Sequence, residues 1–111
     1  MTIINQSQKT ILAEEIIIPK TLIAQSLGLL KYKTPRAMLL KTRYGIHTFG
    51  MRYAIDVLIV NKQNCVVIIK ENLTPNSVFM WNIKYKTVLE FPAGTLKRTK
   101  TKLNDQLIFS N

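Results

Sequence analysis

Three side chains capable of acid–base chemistry, His47, Asp56 and Glu90, stand inside segments that are otherwise apolar and β-branched, "IHTFGMRYAIDVLIV" and "KTVLEFPAG". A polar group buried without a partner costs free energy, so each of the three needs a specific one. If they converge, their pKa values shift and His47 becomes a general base oriented by Asp56, as in a small hydrolase or lyase. The other arrangement is structural. Asp56 then accepts backbone amides at a strand start, Glu90 pairs with Arg52 or a lysine, and His47 bonds a loop carbonyl.

The same stretch carries a candidate ligand contact at Gly50, Met51 and Arg52. Arg52 is the natural anion contact and Gly50 leaves room for a ligand. On a regular strand, however, His47 and Arg52 point to opposite faces, because side chains alternate. Gly50 is the residue able to break that alternation through a bulge or a positive φ. An irregularity over Thr48 to Met51 is therefore expected, bringing His47 and Arg52 toward one solvent-reachable cleft.

Other chemistries find little support. His47 and Cys65 are the only histidine and cysteine, eighteen positions apart, whereas zinc or iron needs three or four convergent ligands. Asp56, Glu90 and Asp105 could meet Mg²⁺ or Ca²⁺, but no ligand loop accompanies them. No metal and no cofactor is expected. Cys65 reads as a small, inert, buried residue, and "PAGTLKR" lacks the spacing of a phosphate-binding P-loop.

The charge is out of the ordinary, and a biased Lys-, Ile- and Asn-rich usage explains its many lysines but not its few carboxylates. Sixteen Lys and Arg face six Asp and Glu, a net charge of +10 on 111 residues. Such a surface attracts phosphates, acidic proteins or anionic membranes. Lys97, Arg98, Lys100 and Lys102 cluster in "LKRTKTK", and Lys31, Lys33 and Arg36 in "LKYKTPR", where Tyr32 could stack on a base. No helix-turn-helix, RNP or zinc-finger pattern is present. Three functions follow: a binding module for a small or polymeric anionic ligand, a hydrolase or lyase using His47, or a nonspecific nucleic-acid binder.

The elements that must position these residues are mostly strands. "TILAEEIII" reads as an early strand ended by Pro19, and "PKTLIAQSLGLL" as a short helix stopped at Gly28. "RAMLLK", "IHTFGMR", "KTVLEF" and "DQLIF" read as further strands, and "TLKRTKTK" as a basic turn or one helical turn. "IDVLIVN" and "CVVIIKE", joined by "NKQN", form the clearest hairpin, with both strands apolar enough to be buried on two faces. Six or seven strands with one or two short helices make an all-β, mainly antiparallel small sandwich or barrel, residues 1–111 forming a single domain. The longest apolar runs are far short of the roughly 20 residues that span a bilayer. The first residues carry no basic, apolar and small-residue export pattern, so a cytoplasmic protein is expected.

"SLGLL", "IHTFGMRYAIDVLIV", "ENLTP", "VLEFPAG" and "LNDQL" occur in an order and spacing similar to those of the uncharacterised family called domain of unknown function 192 (DUF192). The likeness runs from about residue 16 to 109. It implies a compact β-rich fold and no established activity. The family usually has Gly-Asp where this chain has Asn104-Asp105, and asparagine can adopt the left-handed turn in place of glycine.

Overall fold

In a computed structural model, residues 1–19 and 33–111 are described. The helix expected after Pro19, and the Lys31 and Tyr32 of the first basic cluster, lie outside the described residues. The described chain forms β1 (Thr2–Asn5), β2 (Thr10–Ala13), β3 (Met38–Lys41), β4 (Gly45–His47), β5 (Ile55–Val60), β6 (Val66–Leu73), β7 (Val78–Met80) and β8 (Thr87–Pro92). A single turn of helix, α1 (Thr95–Thr99), and a last strand, β9 (Leu107–Ser110), complete it. The all-β, antiparallel reading holds. Nine strands form among the described residues where the sequence predicts six or seven, because β1 and β7, four and three residues long, are too short to show a period of two.

Three sheets result, ordered β2-β1-β9, β3-β8-β5-β6 and β4-β7. The four-stranded sheet is the middle layer, and period-2 alternation sends its side chains into two separate cores. Leu39, Leu58, Leu89 and Phe91 meet Ile3, Leu12 and Leu107 of the three-stranded sheet. From the opposite face Met38, Leu40, Val57, Ile59 and Val88 meet Trp81 and the inward Ile46 and Phe79 of the β4–β7 ribbon. β5 is consequently buried at every position, which explains its unbroken apolar run.

The expected hairpin is β5–β6, paired antiparallel from Ile55 with Leu73 to Val60 with Val66. The expectation that both strands are buried on two faces is corrected. β6 is an edge strand with Lys70, Glu71 and Asn72 exposed, and a charged edge discourages pairing with another chain. Cys65 stands just before β6, half-buried, its Sγ donating to Gln106 Oε1 at 3.0 Å.

Candidate functional site

The register separates the three acid–base residues. Asp56 pairs with Phe91 and Val57 with Glu90 across β5 and β8, so Asp56 and Glu90 point to opposite faces of one sheet. His47 is exposed on the ribbon, stacked on the Phe49 ring with centroids 5.0 Å apart. Its Nδ1 accepts the Phe49 amide at 3.3 Å rather than donating to a carbonyl. No convergence of His47, Asp56 and Glu90 is present.

Asp56 has a structural post. Between Ile55 and Val57 the facing strand carries two residues, Glu71 and Asn72, and this bulge turns Asn72 to a φ of 53°. The Asn72 amide thereby donates to Asp56 Oδ1 at 2.9 Å, while Gly94 and Leu96 amides donate to Oδ2, each at 3.0 Å. The carboxylate, 1% exposed, thus caps α1 from a neighbouring strand and locks a bulge with three charge-assisted bonds. Gly94, at φ 95°, supplies the left-handed residue that starts the helix.

Glu90 is the chemically unusual group. It is 5% exposed, flanked in register by Met38 and Val57, and burial pushes its pKa up to about 7. The expected pairing with Arg52 or a lysine is corrected: no ion pair reaches Glu90 among the described residues, and Arg52 is exposed. Tyr53 is raised as well, first by its own burial and then by the Glu90 charge. Both effects belong to a carboxyl in an apolar cluster with no cation paired to it among the described residues.

The irregularity around Gly50 is present. β4 stops at His47, Gly50 has a φ of 81°, and the Met51 amide bonds the Thr48 carbonyl at 3.1 Å. Its centre is Thr48, which is fully buried. The Thr48 hydroxyl donates to the Thr74 carbonyl at 2.7 Å and accepts the Ser77 amide at 2.9 Å, while Gly50 N reaches Asn76 Oδ1 at 3.1 Å. Met51 packs against the second core. The turn staples two loops together, and neither His47 nor Arg52 lines the cleft described next. Asn104 takes a φ of 72°, so the bend before Asp105 survives without glycine. Burial would raise the Asp105 pKa, but hydrogen bonds from Asn5, the Lys102 amide and Gln8, with the Lys102 charge, hold it below the ordinary value.

A cleft of about 520 Å³ opens at the end of the middle sheet, with Arg43, Lys62, Lys84 and Lys86 on its walls. This size suits a small ligand or a segment of a polymer. Two asparagine-held turns make the walls. In the first, Asn61 Oδ1 accepts the Gln63 amide at 3.0 Å and the Cys65 amide at 2.9 Å. In the second, Asn82 Oδ1 accepts the Lys84 amide at 2.9 Å, while Trp81 Nε1 donates to the Tyr85 carbonyl at 2.9 Å. Arg43 closes the gap by donating to the Ile83 carbonyl at 2.8 Å. Tyr85, Thr87, Gln63 and Asn61 add polar edges, and no carboxylate lines the cleft among the described residues. The Lys84 ammonium sits 5.4 Å from the Tyr85 ring centroid, a cation–π distance.

These cations were not singled out in the sequence, since they come from three separated turns. A signal did exist. The lysine–tyrosine–lysine triplet of residues 31–33 occurs again at Lys84–Lys86, and the second copy lines the cleft. Lys97, Arg98, Lys100 and Lys102 are exposed on and after α1. Arg98 spends part of its guanidinium on the Ile11 and Leu12 carbonyls, each at 3.4 Å. Among the described residues, no group of three or more His, Cys, Asp or Glu could hold a metal ion. No described helix is long and apolar enough to cross a membrane.

A family model, DUF192, described as "Uncharacterized ACR", matches residues 2–109. The match extends the resemblance seen in the sequence back through β2 and β1. Two crystal structures are similar. One, a protein of unknown function from Novosphingobium aromaticivorans, is 18% identical with a TM-score of 0.79 over 97% of this chain and 82% of its own. The other, from Sinorhizobium meliloti and described as a candidate transcription regulator, is 22% identical with a TM-score of 0.81 over 96% and 89%. At these identities they share the fold. No curated protein matches the chain.

Proposed function

The chain belongs to the DUF192 family, described as uncharacterised, and within that family we propose that it is a binding module for phosphate-rich anionic ligands, held in the cleft between the Asn61 and Asn82 turns. The observation that carries this reading is the charge of the walls. Arg43, Lys62, Lys84 and Lys86 surround one cleft, and no Asp or Glu pairs with any of them among the described residues. Four like charges held close repel one another, and an anion relieves that repulsion. A cleft with low-dielectric walls also focuses the field of a chain carrying +10. Tyr85 and the amide and hydroxyl groups give the ligand a face to lie on and groups to orient it.

Arg52 and the α1 lysines, Lys97, Lys100 and Lys102, contribute to the long-range field in this reading, with Arg98 partly committed to the fold. Nucleic acid is one polymer such a cleft could hold, through its backbone rather than its sequence. No geometric observation favours the hydrolase or lyase reading, since His47 has neither carboxylate beside it.

The test is calorimetric titration with inorganic polyphosphate at low salt. The triple variant Lys62→Glu, Lys84→Glu, Lys86→Glu is expected to weaken binding at least about tenfold and to flatten its salt dependence. The triple variant Lys97→Glu, Lys100→Glu, Lys102→Glu carries the same charge change and is expected to lose less than about threefold. Equal losses would make the binding a property of net charge alone, and no binding by the parent chain would end the reading.

A further inference from the structure

We infer that the outer face of the β4–β7 ribbon, together with the cations at its base, is a docking surface for an anionic lipid bilayer. This rests on the reading of the basic cleft and extends it to a second kind of contact. In the ribbon, Ile46 and Phe79 point inward and pack on the second core. Alternation therefore sends His47, Val78 and Met80 outward. Met80 is 70% exposed, and Tyr44, Val78, Phe49 and Ile83 are each half exposed or more. Of the nine exposed large apolar residues among those described, these five come from two short segments that pair with each other. Single exposed apolar residues are ordinary, but a contiguous group marks an interaction surface.

The surface is built rather than accidental. Gly45 lies under Met80: a Cβ there would stand 3.0 Å from Met80 Cγ and 2.7 Å from the Phe79 carbonyl oxygen. The contact with the Phe79 carbonyl is the prohibitive one, so the close approach of β4 and β7 beneath Met80 requires glycine. The His47 ring stacks on Phe49 and widens the shelf.

What covers this shelf is indicated by its charge. Arg43 adjoins Tyr44, Lys84 adjoins Ile83, and the Arg43 guanidinium bonds the Ile83 carbonyl at 2.8 Å. The Arg43 guanidinium is thus held on the backbone of the segment that carries Ile83, and Arg43 and Lys84 both also line the cleft. A soluble polyanion satisfies the cations but leaves Met80, Val78 and Ile83 in water. A bilayer with anionic headgroups satisfies both at once: the exposed apolar side chains enter the headgroup–acyl boundary, and lysine and arginine meet phosphates at its surface. The large aromatic and methionine side chains suit shallow insertion, and the charge complementarity favours this occupant over an apolar protein groove.

The experiment is co-sedimentation of the full chain with phosphatidylglycerol–phosphatidylcholine vesicles and with pure phosphatidylcholine vesicles, alongside the polyphosphate titration. The parent chain is expected to partition onto the anionic vesicles at least about tenfold more strongly than onto neutral ones. The double variant Phe49→Ser, Met80→Ser removes apolar surface without changing charge. It should lower vesicle partition at least about fivefold and leave polyphosphate affinity within about twofold, which also reports that it is folded. Should that variant not fold, Val78→Ser with Ile83→Ser makes the same test on the other half of the shelf. Polyphosphate binding without vesicle binding overturns the membrane inference and leaves the anion-binding reading intact. Vesicle binding that the serine variants do not weaken, or equal binding to neutral vesicles, also overturns it. Loss of both ligands from the parent chain removes both readings.

Discussion

Replacing Glu90 with Gln tests the electrostatics of the second core. The carboxyl is nearly the size of the amide, so packing against Met38 and Val57 changes little, while the titrating proton disappears. Glu90 rises from 4.5 to about 7 on folding. An acid raised in this way binds more protons folded than unfolded, so its contribution to stability is fully present below 4.5 and is lost as pH climbs through 7. At about 1.36 kcal/mol per pH unit, that loss is roughly 3 kcal/mol. Glu90→Gln should therefore differ little from the parent near pH 4, apart from a constant offset, and gain roughly 3 kcal/mol on it by pH 8. In urea denaturation this is a relative midpoint shift of about 1–3 M between the two pH values. Asp105 works in the opposite sense, because its lowered pKa makes its contribution fall as pH falls. It is present in both proteins and cancels in the comparison. The Tyr53 phenol gives a second readout: removing the Glu90 charge should lower its pKa, leaving only the part due to burial. A midpoint difference that is the same at pH 4 and pH 8 would refute the assignment of Glu90 as an uncompensated buried acid.

Asp56→Ala should destabilise by roughly 3 kcal/mol, since three backbone amides lose their acceptor together; a denaturant midpoint equal to the parent's would contradict the capping role. Thr48→Val keeps the shape but leaves the Ser77 amide without its acceptor, and should cost about 1–3 kcal/mol by thermal or urea unfolding. Asn104→Gly should be neutral or slightly stabilising, whereas Asn104→Ala at a φ of 72° should cost about 1–2 kcal/mol. Gly94→Ala meets no atom within 4 Å, so its cost should be confined to the same backbone strain, about 1–2 kcal/mol.

Much of the architecture was legible because β5 and β8 are short apolar, β-branched runs set between turn residues. Val88 and Glu90 face one core and Leu89 and Phe91 the other, and "DVLIV" announces a strand covered on both sides. What the pattern could not distinguish was an interior strand from an edge one. β6 looks as apolar as β5 for its first half, and its edge position depends on which strands pair beyond the hairpin. The candidate site was partly visible. Burial of Asp56 and Glu90 follows from their apolar neighbours, and the turn at Gly50 from the clash between its motif and a regular strand. Their separation onto opposite faces follows from register, which no single segment encodes. The cleft was hidden for a related reason. Arg43, Lys62 and the Lys84–Lys86 pair belong to three turns, and only the folded sheet brings those turns to one end.

Anion binding in the cleft is tested most directly by titrating ¹⁵N-labelled protein with short-chain polyphosphate and following amide chemical shifts at two salt concentrations. Saturable shifts are expected at Asn61, Lys62 and Gln63, at Lys84 to Thr87, and at Arg43, with weaker, salt-erased changes along Lys97 to Lys102. Shifts centred on α1 or on His47 and Arg52, with the Asn61 and Asn82 turns unmoved, would contradict it.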